Sequence, residues 1–292
     1  MPAPSRQPVL FLAHGAPLTA IRDTLYTRYL ERLGETLRPR AVLLFTAHWE
    51  APITTVTARD VPHETIHDFG PWWPEALFAV RYPAPGSSSV AAEVLDALRS
   101  AGIQAGTDPD RGLDHGAWTL LRRLFPAADV PVIQASIDPT LAPDRQFAIG
   151  AALRDLRARG VLIIASGVTV HNLWLRNVPA TEPWALEFDD WLLTNLRAGN
   201  HKALFAYAET APYAAKAVPT TEHFLPLFIA LGAADAGDVP HIVYRGYENL
   251  LSYLSIAFDL PANAPRLARP EDAATGVEDP TPPQKIAVSA VA

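Results

Sequence analysis

Short runs of consecutive apolar residues recur along this chain, each bounded by polar, proline-rich or glycine-rich segments. Unbroken apolar runs of this length are typical of strands that are buried on both faces of a sheet. A run of alternating β-branched residues at 53–57 predicts a further strand, one that can pair antiparallel at a sheet edge. Together these patterns predict strands at 9–13, 41–46, 53–57, 130–137, 161–165, 241–244 and 250–258.

Apolar residues spaced three or four positions apart predict helices between these strands. The first helix is predicted at 23–37 with Asp23 as its N-cap, and an apolar helix is predicted to start at a Thr220 or Thr221 cap and to end at Leu231. Strands that alternate with helices indicate an α/β fold, a single domain whose central, largely parallel or mixed sheet is flanked by helices. The other helices are predicted at 87–101, 117–124, 143–159, 183–198 and 203–210.

Two segments lack any regular period. Residues 61–85 are aromatic and interrupted by prolines, and such a long irregular stretch favours a wall or lid of a functional site. From residue 261 onward the chain is rich in proline, alanine and charge, which predicts a tail that is disordered or draped over the surface. We therefore predict a catalytic domain at 1–260 and a tail at 261–292.

Charge and composition narrow the class of protein. The 292 residues include 24 basic and 31 acidic side chains, a net charge of −7, which argues against binding to nucleic acid or to an anionic membrane. The chain has no cysteine, so disulfides, thiolate metal sites and cysteine nucleophiles are excluded. No apolar run is long enough for a secretory signal or a membrane span, and we predict a cytoplasmic protein.

Three of the nine histidines follow predicted buried strands: His14, His48 and His171. The carboxyl ends of parallel strands meet at one edge of a sheet, where ligands bind, so these three are expected close together. His223 is predicted in the first turn of its helix, a position that can direct it toward the same edge. Three or four converging imidazoles form sites for zinc or iron.

Several other residues have both a structural and a functional interpretation. His115 lies between Asp114 and Gly116, which is compatible with a helix N-cap or with a small neighbour that leaves room for a ligand. Glu222 is interpreted as a match to a helix dipole rather than as a catalytic group. Ser166 follows a strand but lacks the flanking glycines of a nucleophile elbow, so it is a weak candidate for a serine nucleophile. His63 and His67 are interpreted as loop residues rather than metal ligands. Trp49 and Glu50 are interpreted either as packing residues or as support for His48.

Several motifs occur together and in order, and the set resembles the DOPA-dioxygenase type of extradiol ring-cleaving dioxygenases, relatives of protocatechuate 4,5-dioxygenase. The resemblance extends over residues 8–258. The motifs are His14-Gly15-Ala16-Pro17, Ala47-His48-Trp49-Glu50, Gly112-Leu113-Asp114-His115-Gly116-Ala117-Trp118, Ser166-Gly167, Val170-His171-Asn172-Leu173 and Glu222-His223-Phe224-Leu225-Pro226.

The resemblance implies a mononuclear Fe(II) site, often found with zinc. It implies His14, His48 and His223 as metal ligands, His171 as an acid/base and a candidate fourth ligand, and His115 as a contact to substrate or oxygen. The pKa of His171 is expected near working pH.

The function expected from this resemblance is Fe(II)-dependent extradiol cleavage of a catechol-type substrate with O2. The expected partners are that small molecule and O2, with no nucleic acid and no membrane, and the sequence leaves the oligomeric state open. A zinc-dependent hydrolase and a non-catalytic metal-binding protein on the same scaffold remain as alternatives.

The chain departs from the family pattern at three places. Ala16 stands where the family usually has serine, the segment 217–223 differs from the family's usual run before the last ligand, and the aromatic loop reads differently at 67–74. The expected metal ligands are unaffected by these departures. The substrate pocket is the part that they are expected to change.

Overall fold

Four parallel strands buried on both faces form the centre of this structure, a computed structural model that describes residues 5–175, 182–248 and 251–265. In these residues one mixed sheet has the order β4-β3-β5-β2-β6-β1-β10-β7, and β8 pairs with β9 separately. The strands are β1 Val9–Ala13, β2 Ala41–Glu50, β3 Thr54–Thr57, β4 Ala105–Asp108, β5 Val132–Ile137, β6 Val161–Gly167, β7 Pro240–Tyr244, β8 Tyr247–Glu248, β9 Leu251–Ser252 and β10 Ser255–Phe258.

The central strands β5, β2, β6 and β1 run parallel, whereas β10 pairs antiparallel with both β1 and β7. Alternate residues of a strand face opposite sides of the sheet. Leu43 and Phe45 of β2 accordingly join one hydrophobic cluster, and Val42 and Leu44 join the other. The sheet therefore has an apolar layer on each face, as the unbroken apolar runs predicted.

Helices cover both faces. Helices α1 and α4 pack against each other on one face, and α5 and α10 pack against each other on the opposite face. This arrangement confirms the α/β domain with a mixed sheet flanked by helices. The helices are α1 Leu25–Gly34, α2 Glu75–Phe78, α3 Ser88–Ser100, α4 His115–Leu124, α5 Pro143–Leu153, α6 Pro183–Arg197, α7 His201–Phe205, α8 Tyr207–Thr210, α9 Ala214–Ala217 and α10 Pro226–Ala233, with 3-10 turns at Pro17–Ala20, Arg154–Arg159 and Leu173–Leu175.

The N-terminus of α1 differs from the prediction. Thr24 is the N-cap, because its hydroxyl accepts from the backbone N–H of Thr27 at 3.1 Å and the Thr27 hydroxyl bonds back to the N–H of Thr24. This reciprocal capping box satisfies two backbone donors. Asp23, which we predicted as the cap, instead forms an exposed ion pair with Arg28.

Other predicted elements are shorter, divided or missed. The helix predicted at 143–159 ends at Leu153 and continues as a 3-10 turn, and the strand predicted at 250–258 is two separate strands. Leu250 itself lies outside the described residues. The prediction missed β4, α2 and α9, of four residues each, and the two-residue strand β8. Elements this short show too little of a period to detect.

The amino ends of the strands meet at a buried arginine. The side chain of Arg157 is fully buried, and its guanidinium donates to the carbonyl oxygens of Gln7 and Ala233 and to the carboxylates of Asp238 and Asp259. Gln7, Asp238 and Asp259 lie beside β1, β7 and β10, and Ala233 is the last residue of α10. Arg157 itself lies just before β6. The guanidinium therefore ties four strands together at this edge.

The predicted tail is described only at its start. Ala264 is buried, and the carbonyl of Pro265 accepts a hydrogen bond from the Tyr29 hydroxyl at 2.9 Å. Residues 266–292 of the predicted tail lie outside the described residues, and the division into a catalytic domain and a tail stays a prediction. In the part of the chain that is described, no helix combines the length and the apolarity needed to cross a membrane.

Candidate metal centre

His14 follows β1 directly and is buried. Its Nδ1 lies 2.9 Å from the hydroxyl of Ser166 on the neighbouring strand β6, and that hydroxyl donates to the carbonyl of Gly116 at 2.5 Å. A serine hydroxyl has one hydrogen to donate, so its oxygen must accept a hydrogen bond from the N–H at Nδ1 of His14. The other ring nitrogen of His14, Nε2, therefore carries a free lone pair.

His48 belongs to β2 itself, not to the loop after it, because β2 continues to Glu50. Its Nδ1 faces a carboxylate oxygen of Asp68 at 3.4 Å. Burial raises the pKa of Asp68, but its contacts with His115 outweigh that effect and hold the pKa below the usual value, so the carboxyl is ionised. A proton on Nδ1 of His48 is favoured beside this charge, and Nε2 is again left with its lone pair.

The Nε2 atoms of His14 and His48 lie 3.1 Å apart. Burial, followed by the charges of neighbouring imidazoles, lowers the pKa of both rings well below the usual value, so both are neutral. Two lone pairs at this distance repel each other unless a cation lies near both. The donor set thus fits a metal ion that binds neutral imidazoles.

His223 lies in the turn before α10 rather than in its first turn, which corrects the prediction. Its Nδ1 donates to the carboxylate of Glu222 at 2.8 Å, so Glu222 orients the ring and is not a match to a helix dipole. Burial raises the pKa of Glu222, but the hydrogen bond to His223 outweighs it and the pKa falls to about 2.

The backbone of His223 is held close to the sheet. Its carbonyl accepts from the N–H of Val168 at 2.8 Å, and a Cβ at Gly167 would lie 2.3 Å from that carbonyl oxygen. A side chain at position 167 would therefore displace the turn. The glycine after Ser166 serves this close approach, which explains its place at the end of β6.

His115 opens α4 and is buried. Asp114 precedes it in the N-cap position, but its side chain does not cap the helix; it accepts from Thr46 at 2.8 Å and from Gln134 at 2.9 Å. Burial raises the pKa of Asp114 to about 6. Gly116 packs closely against β2, because a Cβ there would lie 2.6 Å from the Thr46 hydroxyl oxygen, and the expected contact of His115 with a ligand stays a prediction.

The ring of His171 stacks on that of His223, with centroids 3.7 Å apart and planes 12° apart. Its backbone N–H is bound by the carbonyl of Ala217 at 2.9 Å. Burial, followed by the charge of His223, lowers the pKa of His171 to about 3. The expectation of a pKa near working pH is therefore wrong, and His171 is neutral.

The structure thus brings together all five histidines that the sequence singled out. Potential ligand atoms form two groups, and within each group they lie within 4.8 Å of one another. One group is His14, His48 and His115, and the other is His171, Glu222 and His223. The ring centroids of His14, His48 and His223 are separated by 4.9, 5.0 and 5.2 Å. His115 is closer to His48, at 3.9 Å, and farther from His14, at 5.6 Å.

Several residues at this centre were missed or misread in the sequence. Asp68 contacts two of the histidines, and Ser166 orients His14 instead of acting as a nucleophile. These contacts join segments far apart in the chain, so the spacing of residues in the sequence could not predict them. His63 and His67 stay outside the cluster, as expected for loop residues, and each binds a backbone carbonyl.

The two residues after His48, Trp49 and Glu50, differ in their burial. Trp49 is buried and the guanidinium of Arg111 lies over its ring, 5.1 Å from the centroid. Arg111 also donates to the carbonyl of His48 at 3.2 Å. Trp49 therefore packs against the same arginine that holds the His48 carbonyl, whereas Glu50 is exposed.

A mixed α/β sheet with a cluster of five histidines at the carboxyl edge of its parallel strands defines a metalloenzyme-like centre. Comparison with known proteins identifies its family. The chain matches the model of the catalytic LigB subunit of aromatic ring-opening dioxygenase over residues 8–251. It is 38% identical to a 4,5-DOPA dioxygenase extradiol of Escherichia coli K12 over 261 residues, which cover 86% of this chain and 94% of the relative.

A second relative, a 4,5-DOPA dioxygenase extradiol of Beta vulgaris, is 37% identical over 85% of this chain and 95% of its own length. The crystal structure of an uncharacterized Escherichia coli K12 protein superposes with a TM-score of 0.73 at 36% identity, covering 86% of this chain and 99% of that one. The chain belongs to the LigB family of aromatic ring-opening dioxygenases. It is an extradiol ring-cleaving dioxygenase, and its family uses a metal.

Proposed function

We propose that this dioxygenase binds Fe(II) through His14, His48 and His223 and cleaves the ring of a catechol-type phenol with O2. The observation that carries the proposal is the pair of neutral imidazoles, His14 and His48, whose Nε2 lone pairs meet without a donor between them. Zinc is expected to bind the same ligands. The names of the relatives, which are 4,5-DOPA dioxygenases, support a substrate with two adjacent phenolic oxygens.

Ring spacing supports His223 rather than His115 as the third ligand. Imidazoles that share one ion at tetrahedral or octahedral angles have centroids roughly 4.5–5.2 Å apart, from the usual metal–nitrogen distance of about 2.1 Å. The separations among His14, His48 and His223 fall in this range. The separations of His115 from His48 and from His14 lie on either side of it. We therefore favour His223, although the nitrogen atoms of His115 also lie near the centre.

Bound Fe(II) supplies a centre at which the two phenolic oxygens of a catechol and O2 can bind side by side. The protein's own side chains then orient the substrate and move its protons. His171 is neutral and stacked against His223, so it is placed to accept a phenolic proton. A negative charge on a bound catechol raises the pKa of a neighbouring imidazole, which favours that transfer. His171 can return the proton later in the reaction.

His115 is proposed to contact the substrate or oxygen. Its ring lies 5.8 Å from that of Phe69, which in turn contacts Phe78 and Trp118. These rings belong to or face the aromatic segment 61–85. We propose that the segment, which contains one of the three departures from the family pattern, forms an apolar wall of the substrate site.

The proposal is tested by loading the protein with Fe(II) under anaerobic conditions and measuring O2 uptake with a panel of catechols. We expect O2 consumption together with a coloured ring-opened product. No uptake with any catechol, despite one bound iron per chain, would contradict the proposal. Activity that follows zinc content and does not need O2 would instead support a zinc hydrolase.

His171→Ala separates catalysis from binding. Because His171 is not among the three proposed ligands, this variant is expected to retain bound metal and to lose turnover. A variant that turns over catechols at the wild-type rate would remove His171 from the mechanism. Loss of the metal itself would indicate that His171 is a fourth ligand.

A further inference from the structure

We propose that Asp68 is the positioning residue that sets the proton positions of His48 and His115 together, so that one carboxylate from the aromatic segment prepares both rings for the metal centre. The inference rests on the proposed ligation by His48, but it depends neither on the identity of the metal nor on the substrate. It assigns a specific role to one residue of the aromatic segment 61–85.

The geometry places one carboxylate between two imidazoles. One oxygen of Asp68, Oδ2, lies 3.0 Å from Nδ1 of His115 and 3.4 Å from Nδ1 of His48. Its other oxygen, Oδ1, accepts from the backbone N–H of His115 at 2.9 Å. The rings of His48 and His115 contact each other, with centroids 3.9 Å apart. Asp68 thus holds the first residue of α4 and also faces the Nδ1 side of both rings.

This carboxylate supplies what the buried Nδ1 of His115 otherwise lacks. That nitrogen is shielded from solvent and has no well-aligned hydrogen bond among the described residues. The nearest acceptor is Oδ2 of Asp68, which lies off the direction that a strong hydrogen bond prefers. An ionised carboxylate at this distance still favours a proton on Nδ1, and therefore a lone pair on Nε2.

A second aspartate provides a matched comparison. Asp60, in the segment just before the aromatic one, accepts from the backbone N–H of Ser88 at 2.8 Å and from its hydroxyl at 2.6 Å. Ser88 is the first residue of α3, as His115 is the first residue of α4. Both aspartates therefore bind the start of a helix through its backbone and its side chain. Only Asp68 also faces a proposed metal ligand.

Asp68→Asn changes the proton pattern with almost no change in size. An amide has one oxygen and one NH2 group, so it cannot accept on both sides as a carboxylate does. If the amide oxygen keeps the backbone N–H of His115, the NH2 group faces the two Nδ1 atoms. Each ring then gains by accepting at Nδ1 and carrying its proton on Nε2, which is the wrong tautomer for binding metal through Nε2.

The test compares zinc affinity in wild type, Asp68→Asn and Asp60→Asn, using zinc alone in competition with a chromophoric chelator. Partners that orient a metal ligand typically contribute 10–100-fold to metal affinity, so we expect Asp68→Asn to weaken zinc binding by about that factor. Asp60→Asn is expected to stay within about twofold of wild type, because its carboxylate only holds a helix. Equal zinc affinities in the two variants would overturn the proposal.

Proton positions provide a second readout that needs no variant. Long-range ¹H–¹⁵N spectra of the zinc-loaded wild type are expected to show protons on Nδ1 of both His48 and His115. A proton on Nε2 of His115 in that spectrum would overturn the proposal, even if Asp68→Asn does not fold. Asp68→Glu, which keeps the carboxylate, is expected to recover affinity relative to Asp68→Asn.

The outcomes separate this inference from the proposed function. Weakened zinc binding in Asp68→Asn, together with an iron-loaded wild type that cleaves no catechol, would contradict the proposed reaction and support the role of Asp68. A wild-type protein that binds neither zinc nor iron would overturn both.

Discussion

The two edges of the sheet each bury a polar cluster, and the clusters differ in whether their hydrogen-bonding groups are satisfied. At the amino edge, every nitrogen of Arg157 donates to an oxygen of the chain. At the carboxyl edge, the Nε2 atoms of His14 and His48 face each other without a proton between them. Strands β1 and β6 contribute to both edges, so the same framework supports both clusters.

This difference separates a structural cluster from a functional one. A buried charge whose hydrogen-bonding partners all belong to the chain does not need a ligand, and its removal lowers the free energy of unfolding. Buried lone pairs that have no donor require a ligand from outside. We infer that the polar cluster at the amino edge stabilises the fold and that the cluster at the carboxyl edge binds a metal.

The largest expected effect on function comes from His48→Ala. Removal of a ligand should cost more than removal of a residue that only orients one, so we expect metal affinity to fall by more than about 100-fold and turnover to reach the level of the metal-free protein. Without metal, the variant should unfold at or above the temperature of the metal-free wild type, because the repulsion between the Nε2 atoms of His14 and His48 is removed. Metal analysis and thermal unfolding measure both effects, and unchanged metal content would contradict the assignment.

Arg157→Ala is expected to have the opposite profile. Breaking a buried ion pair by removing one partner costs about 3–5 kcal/mol, and the carboxylates of Asp238 and Asp259 lose their donor. Urea unfolding should report this loss, while turnover per folded molecule stays at the wild-type value. A large fall in metal affinity of the folded variant would show that the two edges are not independent. Arg157→Met, which keeps the buried volume, should destabilise less.

Ser166→Ala is expected to have a smaller effect that is confined to the carboxyl edge. The change removes the acceptor for Nδ1 of His14, so the ring can adopt the other tautomer and metal affinity should fall about tenfold. Ser136→Ala is the matched control, because Ser136 is also a buried serine on a central strand but it binds only backbone groups, of Thr55 and Ile53. Equal metal affinities in the two variants would remove Ser166 from the centre.

How far the sequence could predict this molecule depends on the range of the contacts involved. The strands around His14 and His48 were predictable, because an unbroken apolar run identifies a buried parallel strand and the strand direction places its last residues at one edge. The cap of α1 was placed one residue early, since Asp23 and Thr24 are both good caps and only the reciprocal bond with Thr27 decides between them.

The supporting residues were harder to predict. Asp68 meets His48 and His115 across 20 and 47 positions of sequence, and Ser166 meets His14 across 152. No periodicity encodes contacts of this range. Glu222 lies beside His223 in the chain, yet its role became visible only when the residue proved to lie in a turn and not in a helix.

The central claim is that His14, His48 and His223 bind one metal ion through Nε2. Anomalous diffraction from crystals of the zinc-loaded protein tests it most directly. We predict a single peak about 2.0–2.1 Å from the three Nε2 atoms. A peak bound by His115 in place of His223, or one between His171 and Glu222, would contradict the account.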